Sequence, residues 1–296
     1  MFCSVTAPAS SANLGPGFDC MAIALDRWTR VDARLTGDDD LVDAGSPDLL
    51  GGTNLVIEAM RVTAQRLDLA LPGCELRVTS DIPIARGLGS SAAAIVAGVK
   101  LAGLLGGQGD LSDDTVIDIA GTMEGHADNA SAAVLGGITV SVPIETGFVS
   151  EVLTAWLPWS PVLFVPDLAA FTSDARAVMP EAIPVRDVVA NISRGALLTL
   201  ALRERREDLL ALAMQDRLHQ PYRSAIFPHL EPAISAALAN GAIGASLSGA
   251  GPTVLAFARP GEEERVGLAM AGAAHASGVH GQHVTIRMVD RGCYAL

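Results

Sequence analysis

In PIARGLGSSAAAIVAGVKLAG, Pro83 to Gly103, two glycines, two serines and a run of alanines could do chemistry without a charged side chain. Glycines let a backbone turn its amides inward. A helix that starts just after them presents unpaired N–H groups and the positive end of its dipole. Such a start binds phosphate. Ser90 and Ser91 add hydroxyls suited to a phosphate oxygen or a magnesium ion. The same residues also read as serines that cap a helix and alanines that let it pack tightly. Physics alone does not separate the two readings.

Gly87-Leu88-Gly89-Ser90-Ser91-Ala92 also satisfies G-x-G-x-x-A, the relaxed dinucleotide fingerprint. Asp110 even lies about 20 residues further on. That fingerprint needs a buried strand running straight into the first glycine. The preceding SDIPIAR, with Asp81, Pro83 and Arg86, reads as a loop, and Asp110 follows another loop, GGQG. No lysine follows the glycines as a Walker motif requires.

Other stretches carry polar groups at unusual places. PASSANLGPGFDCMAIALD, Pro8 to Asp26, reads as a polar, glycine-bearing loop with one carboxylate, then an apolar strand. In MEGHADNASAAVLGGITV, Met123 to Val140, a helix ends at Glu124-Gly125 and a polar cluster leads into an apolar segment. GASLSGAGPTVLAF, Gly244 to Phe257, reads as a strand, a glycine turn and a strand. His275, His280 and His283 suggest a metal cluster, but no carboxylate or cysteine lies nearby in the sequence, so they read as a terminal loop.

Elements must position these groups. Trp28–Leu35 and Glu75–Ser80 alternate apolar and polar residues as half-buried strands do. Thr36–Asp40 is a solvated turn. Helices are predicted over Asn54–Leu67, Ser91–Leu105, Asp113–Glu124, Val185–Leu202, Glu207–Arg217, Leu230–Asn240 and Glu262–Ser277. Strands are predicted over Gly136–Val142 and His283–Val289, with a strand–turn–strand over Ala242–Ala258. Strands broken by Pro158 and Pro161 over Val149–Val165 place a domain boundary near residues 147–160. Strands mixed with helices in no strict βαβ rhythm point to an α+β fold.

The composition sets limits. The chain has 296 residues, half of them apolar but only 4% aromatic, so Ala, Val, Leu and Ile must build the core. A net charge of −13 disfavours nucleic acid and anionic membranes as partners. Cys3, Cys20, Cys74 and Cys293 show no CxxC spacing and suit a reducing, cytoplasmic setting. No signal peptide is read at the N-terminus, and the longest uncharged run, Pro232–Ala258, holds glycines and Pro252 where a membrane span would not.

PIARGLGSSAA resembles the second signature of the GHMP kinases, P-x-x-x-G-L-G-S-S-A, at every position. The resemblance implies an ATP phosphate site formed by Pro83, Ile84, Ala85, Arg86, Gly87, Leu88, Gly89, Ser90, Ser91, Ala92 and Ala93. It implies a GHMP kinase fold, with a ribosomal-protein-S5-domain-2-like domain over residues 1–153 and a ferredoxin-like α/β plait over 154–296. PASSANLGPGFD resembles the opening of homoserine kinases, which implies that Asn13 and Asp19 line the substrate pocket, with Asp19 suited to an ammonium. EGHADN resembles a homoserine kinase segment too, though ASAA follows Asn129 where V-A-P-A is commoner. It brings His126 to the substrate and leaves Asn129 or Asp128 as the catalytic candidate. FTSDARAVMP and DRLHQPYR resemble segments whose arginines, here Arg176 and Arg223, hold a carboxylate by forked hydrogen bonds. GASLSGAGPT looks like the third GHMP signature, whose Gly249 turn approaches the phosphates and substrate.

The implied reaction is phosphorylation of the L-homoserine hydroxyl by ATP, in threonine biosynthesis, with Mg²⁺ held by Ser91 and Glu124. Asn129 would orient the hydroxyl, since an amide takes no proton, and Asp128 is the competing base. A mevalonate- or sugar-type GHMP kinase is the alternative. A homodimer is left open.

Overall fold

The computed structural model describes residues 2–36, 40–44 and 54–296; residues 37–39 of the predicted turn lie outside them. The N-terminal part runs β1 (Phe2–Asn13), β2 (Gly17–Leu35), β3 (Leu41–Asp43), α1 (Leu55–Leu67), β4 (Cys74–Ser80), α2 (Ser90–Leu105), α3 (Asp113–Glu124), α4 (Asp128–Leu135), β5 (Ile138–Ile144) and β6 (Gly147–Thr154). The C-terminal part runs β7 (Ser160–Pro166), α5 (Thr172–Ala177), α6 (Val185–Arg203), α7 (Glu207–Ala213), α8 (Gln220–Arg223), α9 (Leu230–Ala239), β8 (Gly244–Leu247), β9 (Val254–Ala258), α10 (Glu263–Ala276), β10 (Gly281–Thr285) and β11 (Tyr294–Ala295).

The first sheet has the order β11-β1-β2-β4-β3, with β5 paired to β2 and β6 to β5. Its pairs are antiparallel except β3 with β4. Alternation in β2 works as expected: Val31 and Ala33 are buried while Arg30 and Arg34 face solvent. β2 is long enough to serve two partners, β5 at Met21–Ile23 and β4 at Thr29–Leu35. The second sheet has the order β10-β7-β9-β8, all antiparallel. With helices between β7 and β8 and α10 between β9 and β10, this is the ferredoxin-like plait.

The helix that follows the glycine loop is apolar all round and buried from Ala92 to Gly103 apart from Ala94. Such a helix belongs in a core. A Cβ on Gly98 would stand 2.5 Å from the Val56 carbonyl oxygen of α1, so this glycine lets the two helices touch. The tight-packing reading therefore holds for the body of α2. Its one cation, Lys100, is the only lysine of the chain. Its ammonium emerges from the core to donate to Asp110 at 2.8 Å and Asp113 at 3.4 Å. Asp110, the fingerprint's acid, is thus an ion-pair partner at the far end of the helix from the loop.

Several sequence expectations change. Pro8–Asn13, read as loop, is the end of β1. Its hydroxyls and main chain find partners within the fold, so Ser10 and Ser11 are fully buried. The predicted helix to Arg217 stops at Ala213, because the Asp216 carboxylate turns to accept from the amides of Leu218, His219 and Gln220. The last predicted strand begins at Gly281 and ends at Thr285 rather than Val289. Beyond it the chain returns to the first sheet: Met288 bridges Leu25, and β11 pairs with β1. The terminal histidines do find an acid, since His283 Nε2 lies 3.2 Å from Glu264 of α10, while His275 and His280 pack edge to face.

Candidate active site

The glycine loop spans residues 81–89 between β4 and α2. Gly87 and Gly89 take positive φ of 73° and 68°, open to glycine at little cost. Gly89 is the N-cap, and no side chain caps the first turn of α2. Ser90 and Ser91 therefore lie inside the helix and do not cap it. A Cβ on Gly87 would meet the Ser248 carbonyl oxygen at 2.4 Å, and one on Gly89 would meet Ser10 Oγ at 2.1 Å. The loop is clamped from outside as well. Arg86 donates to the carbonyls of Pro166, Asp167 and Ile84, and Ala85 accepts from the Ala170 amide. Residues Pro83 to Ser91 line a cavity of about 520 Å³, together with Glu124, His126, Asn129 and the Gly249–Gly251 turn. Ala92 and Ala93 face the core.

At one wall of this cavity, Ser91 Oγ donates to Glu124 Oε1 at 2.5 Å. Glu124 Oε2 is buried with no hydrogen-bond partner among the described residues. Burial pushes the Glu124 carboxyl above its ordinary pKa, against the pull of His126 and Ser91. A buried carboxylate oxygen without a donor is costly. A hydroxyl and a carboxylate side by side form an oxygen set that suits a hard cation such as Mg²⁺.

The next residues after α3 converge on the same wall. Gly125, at φ 80°, ends the helix, and His126 Nδ1 lies 2.6 Å from Asp128 Oδ1. Burial opposes charge on His126, but the Asp128 hydrogen bond and the Asp128, Glu124 and Asp19 carboxylates outweigh it and raise its pKa to about 9. It is an imidazolium at neutral pH. Asp128, almost fully buried, also accepts from the Asn129 amide N–H at 2.7 Å. Asn129 Oδ1 accepts from Ser10 Oγ at 2.8 Å.

Asn13, at φ 74°, closes β1 and ties two loops. Its Nδ2 donates to the Gly249 carbonyl at 2.8 Å and its Oδ1 accepts from the Asp19 amide at 3.0 Å. Asp19 is paired with Arg176 of α5, whose Nη2 lies 2.9 and 3.0 Å from the two carboxylate oxygens. Arg223 is buried behind them. It donates to the carbonyls of Ala175 at 3.3 Å and Gly249 at 3.0 Å, and to His219 Nδ1 at 3.1 Å. The His219 ring is neutral, its pKa lowered by burial, and its Nε2–H donates to the Gly15 carbonyl. Burial lowers Arg223 to about 10, which leaves it charged. Both guanidinium groups and His219 face the Phe18 ring.

Residues 83–91, Glu124, His126, Asn129 and Gly249 line the cavity, and ligand atoms of Asp19, His126 and Asp128 lie within 4.8 Å of one another. Ala92 and Ala93 do not join them, and Arg223, expected to fork onto a carboxylate, instead holds the main chain just before Arg176. Sequence reasoning missed Ser10, Phe18, His219 and Ser248. Ser248 Oγ lies 2.8 Å from Ser11 Oγ and 2.6 Å from the Gly87 carbonyl, so it links the third signature to the glycine loop. Small hydroxyls of this kind give no periodic signal. The apolar wall of Leu55, Val56, Val78 and Ile95 was missed also, because α1, β4 and α2 contribute apolar residues that serve core and cavity together.

Residues 54–137 match the GHMP kinases N terminal domain and residues 198–276 the GHMP kinases C terminal domain. The chain is 38% identical over 280 residues to a homoserine kinase of Desulfitobacterium hafniense, covering 93% of each chain. It is 42% identical over 259 residues to that of Deinococcus radiodurans, covering 86% of this chain and 83% of the other. The crystal structure of homoserine kinase from Cytophaga hutchinsonii superposes with a TM-score of 0.89 at 26% identity, over 100% of this chain and 97% of that one. The chain belongs to the GHMP kinases and, among them, to the homoserine kinase family.

Proposed function

We infer that the protein transfers the γ-phosphoryl group of ATP to the side-chain hydroxyl of L-homoserine, giving ADP and O-phospho-L-homoserine. The observation that carries the substrate is the Asp19–Arg176 pair, whose acid lies within 4.8 Å of His126 on the cavity wall. An amino-acid zwitterion can replace each member's partner: its ammonium takes the Asp19 carboxylate and its carboxylate takes the Arg176 guanidinium. A sugar or a mevalonate offers the acid hydroxyls but no ammonium to pair with its charge. The close relatives support the amino-acid substrate over those alternatives.

Phosphoryl transfer is chiefly positioning and charge neutralisation. The free amides at the start of α2 cradle the phosphates, and the apolar wall at Leu55 and Ile95 suits a nucleobase. Ser91 and Glu124 would hold Mg²⁺, which neutralises phosphate charge when bound. Asn13 and Arg223 fix the Gly249 turn against the substrate loop. Asn129 holds the acceptor hydroxyl. Asp128 is engaged by His126 and the Asn129 amide, so the hydroxyl proton passes to a phosphoryl oxygen or to water. The first sheet with its helices and the four-stranded plait meet at this cleft, the chain's last residues having returned to the first sheet. Among the described residues no helix is long and apolar enough to cross a membrane, and a cytoplasmic small-molecule kinase with no nucleic-acid partner fits the acidic surface.

Substrate analogues test the reading. Aminopropanol lacks the carboxylate, γ-hydroxybutyrate lacks the ammonium, and both keep the hydroxyl. Each is expected to lose at least tenfold in kcat/KM relative to L-homoserine, on the order of one charge-assisted hydrogen bond. Equal turnover of all three would sink the zwitterion reading.

A further inference from the structure

Ser10 sits in β1, fully buried and outside the cavity lining, yet it touches both halves of the reacting centre. Its amide donates to the Leu88 carbonyl of the glycine loop at 3.1 Å. Its hydroxyl lies 2.8 Å from Asn129 Oδ1. The Gly89 Cα stands so close that a Cβ there would be 2.1 Å from Ser10 Oγ and 3.1 Å from Asn129 Oδ1.

These contacts decide which way the Asn129 amide points. One end of the amide faces Ser10 and the other lies 3.4 Å from Asp128 Oδ1. A carboxylate oxygen repels a carbonyl oxygen and attracts an N–H, so the nitrogen belongs on the Asp128 side. The oxygen then needs a donor, and the Ser10 hydroxyl is the donor within reach. With its oxygen turned to Ser10, the group Asn129 presents on its other side is N–H. It can donate to an acceptor hydroxyl oxygen or a phosphoryl oxygen, and it cannot accept the hydroxyl proton.

We propose that Ser10 is a positioning residue for phosphoryl transfer: its hydroxyl locks the Asn129 amide with the oxygen toward β1 and the nitrogen on the Asp128 side, while its main chain holds the glycine loop at the distance this requires. The proposal rests on the homoserine kinase reading of the site. It adds a residue that acts through Asn129 and sets which end of that amide meets the acceptor hydroxyl.

The test is a double-mutant cycle with L-homoserine and ATP, using Ser10→Ala, Asn129→Ala and the pair. Ser10→Ala is expected to lower kcat about tenfold, the factor for a single lost hydrogen bond, with the homoserine KM within about twofold. In the Asn129→Ala background the same change is expected to cost nothing further. Ser10→Cys, nearly isosteric with a weaker donor, should fall between. An equal loss from Ser10→Ala in both backgrounds overturns the proposal, as does a wild-type kcat in Ser10→Ala. If Ser10→Ala fails to fold, Ser10→Cys in both backgrounds decides by the same criterion. Turnover of L-homoserine by the unmodified protein tests the underlying reading separately, so the two failures are distinguishable.

Discussion

Arg176 and Asp19 are both partly exposed, and an exposed ion pair adds little to stability. In the proposed function their value lies in binding. Arg176→Ala is expected to raise the homoserine KM by about tenfold or more, with a smaller effect on kcat and an unchanged melting temperature. Steady-state kinetics and a thermal melt check this together. Glu124 behaves in the opposite way. Its Oε2 is buried without a partner among the described residues, so a neutral isostere lessens the cost of burying charge in the metal-free fold. Glu124→Gln, which removes the buried charge but still leaves a polar atom unpartnered, is expected to leave the melting temperature in chelator unchanged or raised and to raise the Mg²⁺ concentration needed for half-maximal rate. A destabilised variant with unchanged Mg²⁺ dependence would remove Glu124 from the metal site. For the proton, Asp128→Asn and Asn129→Ala are compared. Loss of kcat at constant KM in Asp128→Asn alone would make Asp128 a base.

The elements differ in how far the sequence revealed them. The α3 bounds match the expectation residue for residue, because Ser112 caps its start and Gly125 takes the left-handed stop. Asn54 likewise caps α1. The glycine loop's place before a helix was legible from its spacing. The end of β1 was not, since Pro8, Ser10, Ser11 and Asn13 have the composition of a loop; they pair with the adjacent β2, and the polar side chains of Ser10, Ser11 and Asn13 are satisfied by partners far along the chain. Arg223 showed no local sign of burial; its acceptors at Ala175 and Gly249 come from two other elements. The α2 segment was ambiguous because it does two things, and its glycines separate them. Gly89→Ala is expected to cut kcat/KM for ATP by more than about tenfold, since its Cβ strikes Ser10 at a backbone angle a side chain rarely adopts. Gly98→Ala is expected to cost about 1–3 kcal/mol of stability by overpacking against α1, with ATP kinetics near normal in the folded fraction. Swapped outcomes would mean that the phosphate site and the packing seam have been assigned to the wrong ends of the helix.

Across the whole molecule, the two sheets share one chain terminus. The last residues leave the plait and return to the first sheet, where the Cys293 amide donates to the Ala133 carbonyl of α4 and the Leu296 amide to Ser4. That return brings the Cys293 thiol among apolar groups near Lys100, and burial raises its pKa to about 12. Burial raises Cys20, beside the substrate loop, to about 11, with Asp128 and Asp19 adding to the effect. The unfolded chain releases these protons near pH 9 and the folded chain holds them. The folded state therefore binds more protons from pH 9 to about 11–12, and stability present below that window falls as pH rises through it. Melting temperatures measured across this window should fall less steeply in a Cys20→Ala, Cys293→Ala double variant than in the wild type. Parallel slopes would mean that the thiols are not held neutral by the fold.

The most direct measurement of the central claim is product identity. The purified protein is incubated with ATP, Mg²⁺ and L-homoserine, and the products are followed by coupled ADP release and phosphorus NMR, with mevalonate, galactose, L-serine and L-threonine in parallel. The account predicts O-phospho-L-homoserine formed one for one with ADP, and faster than any product from the other acceptors. ADP release that ignores homoserine, or that runs faster with mevalonate or galactose, would contradict it.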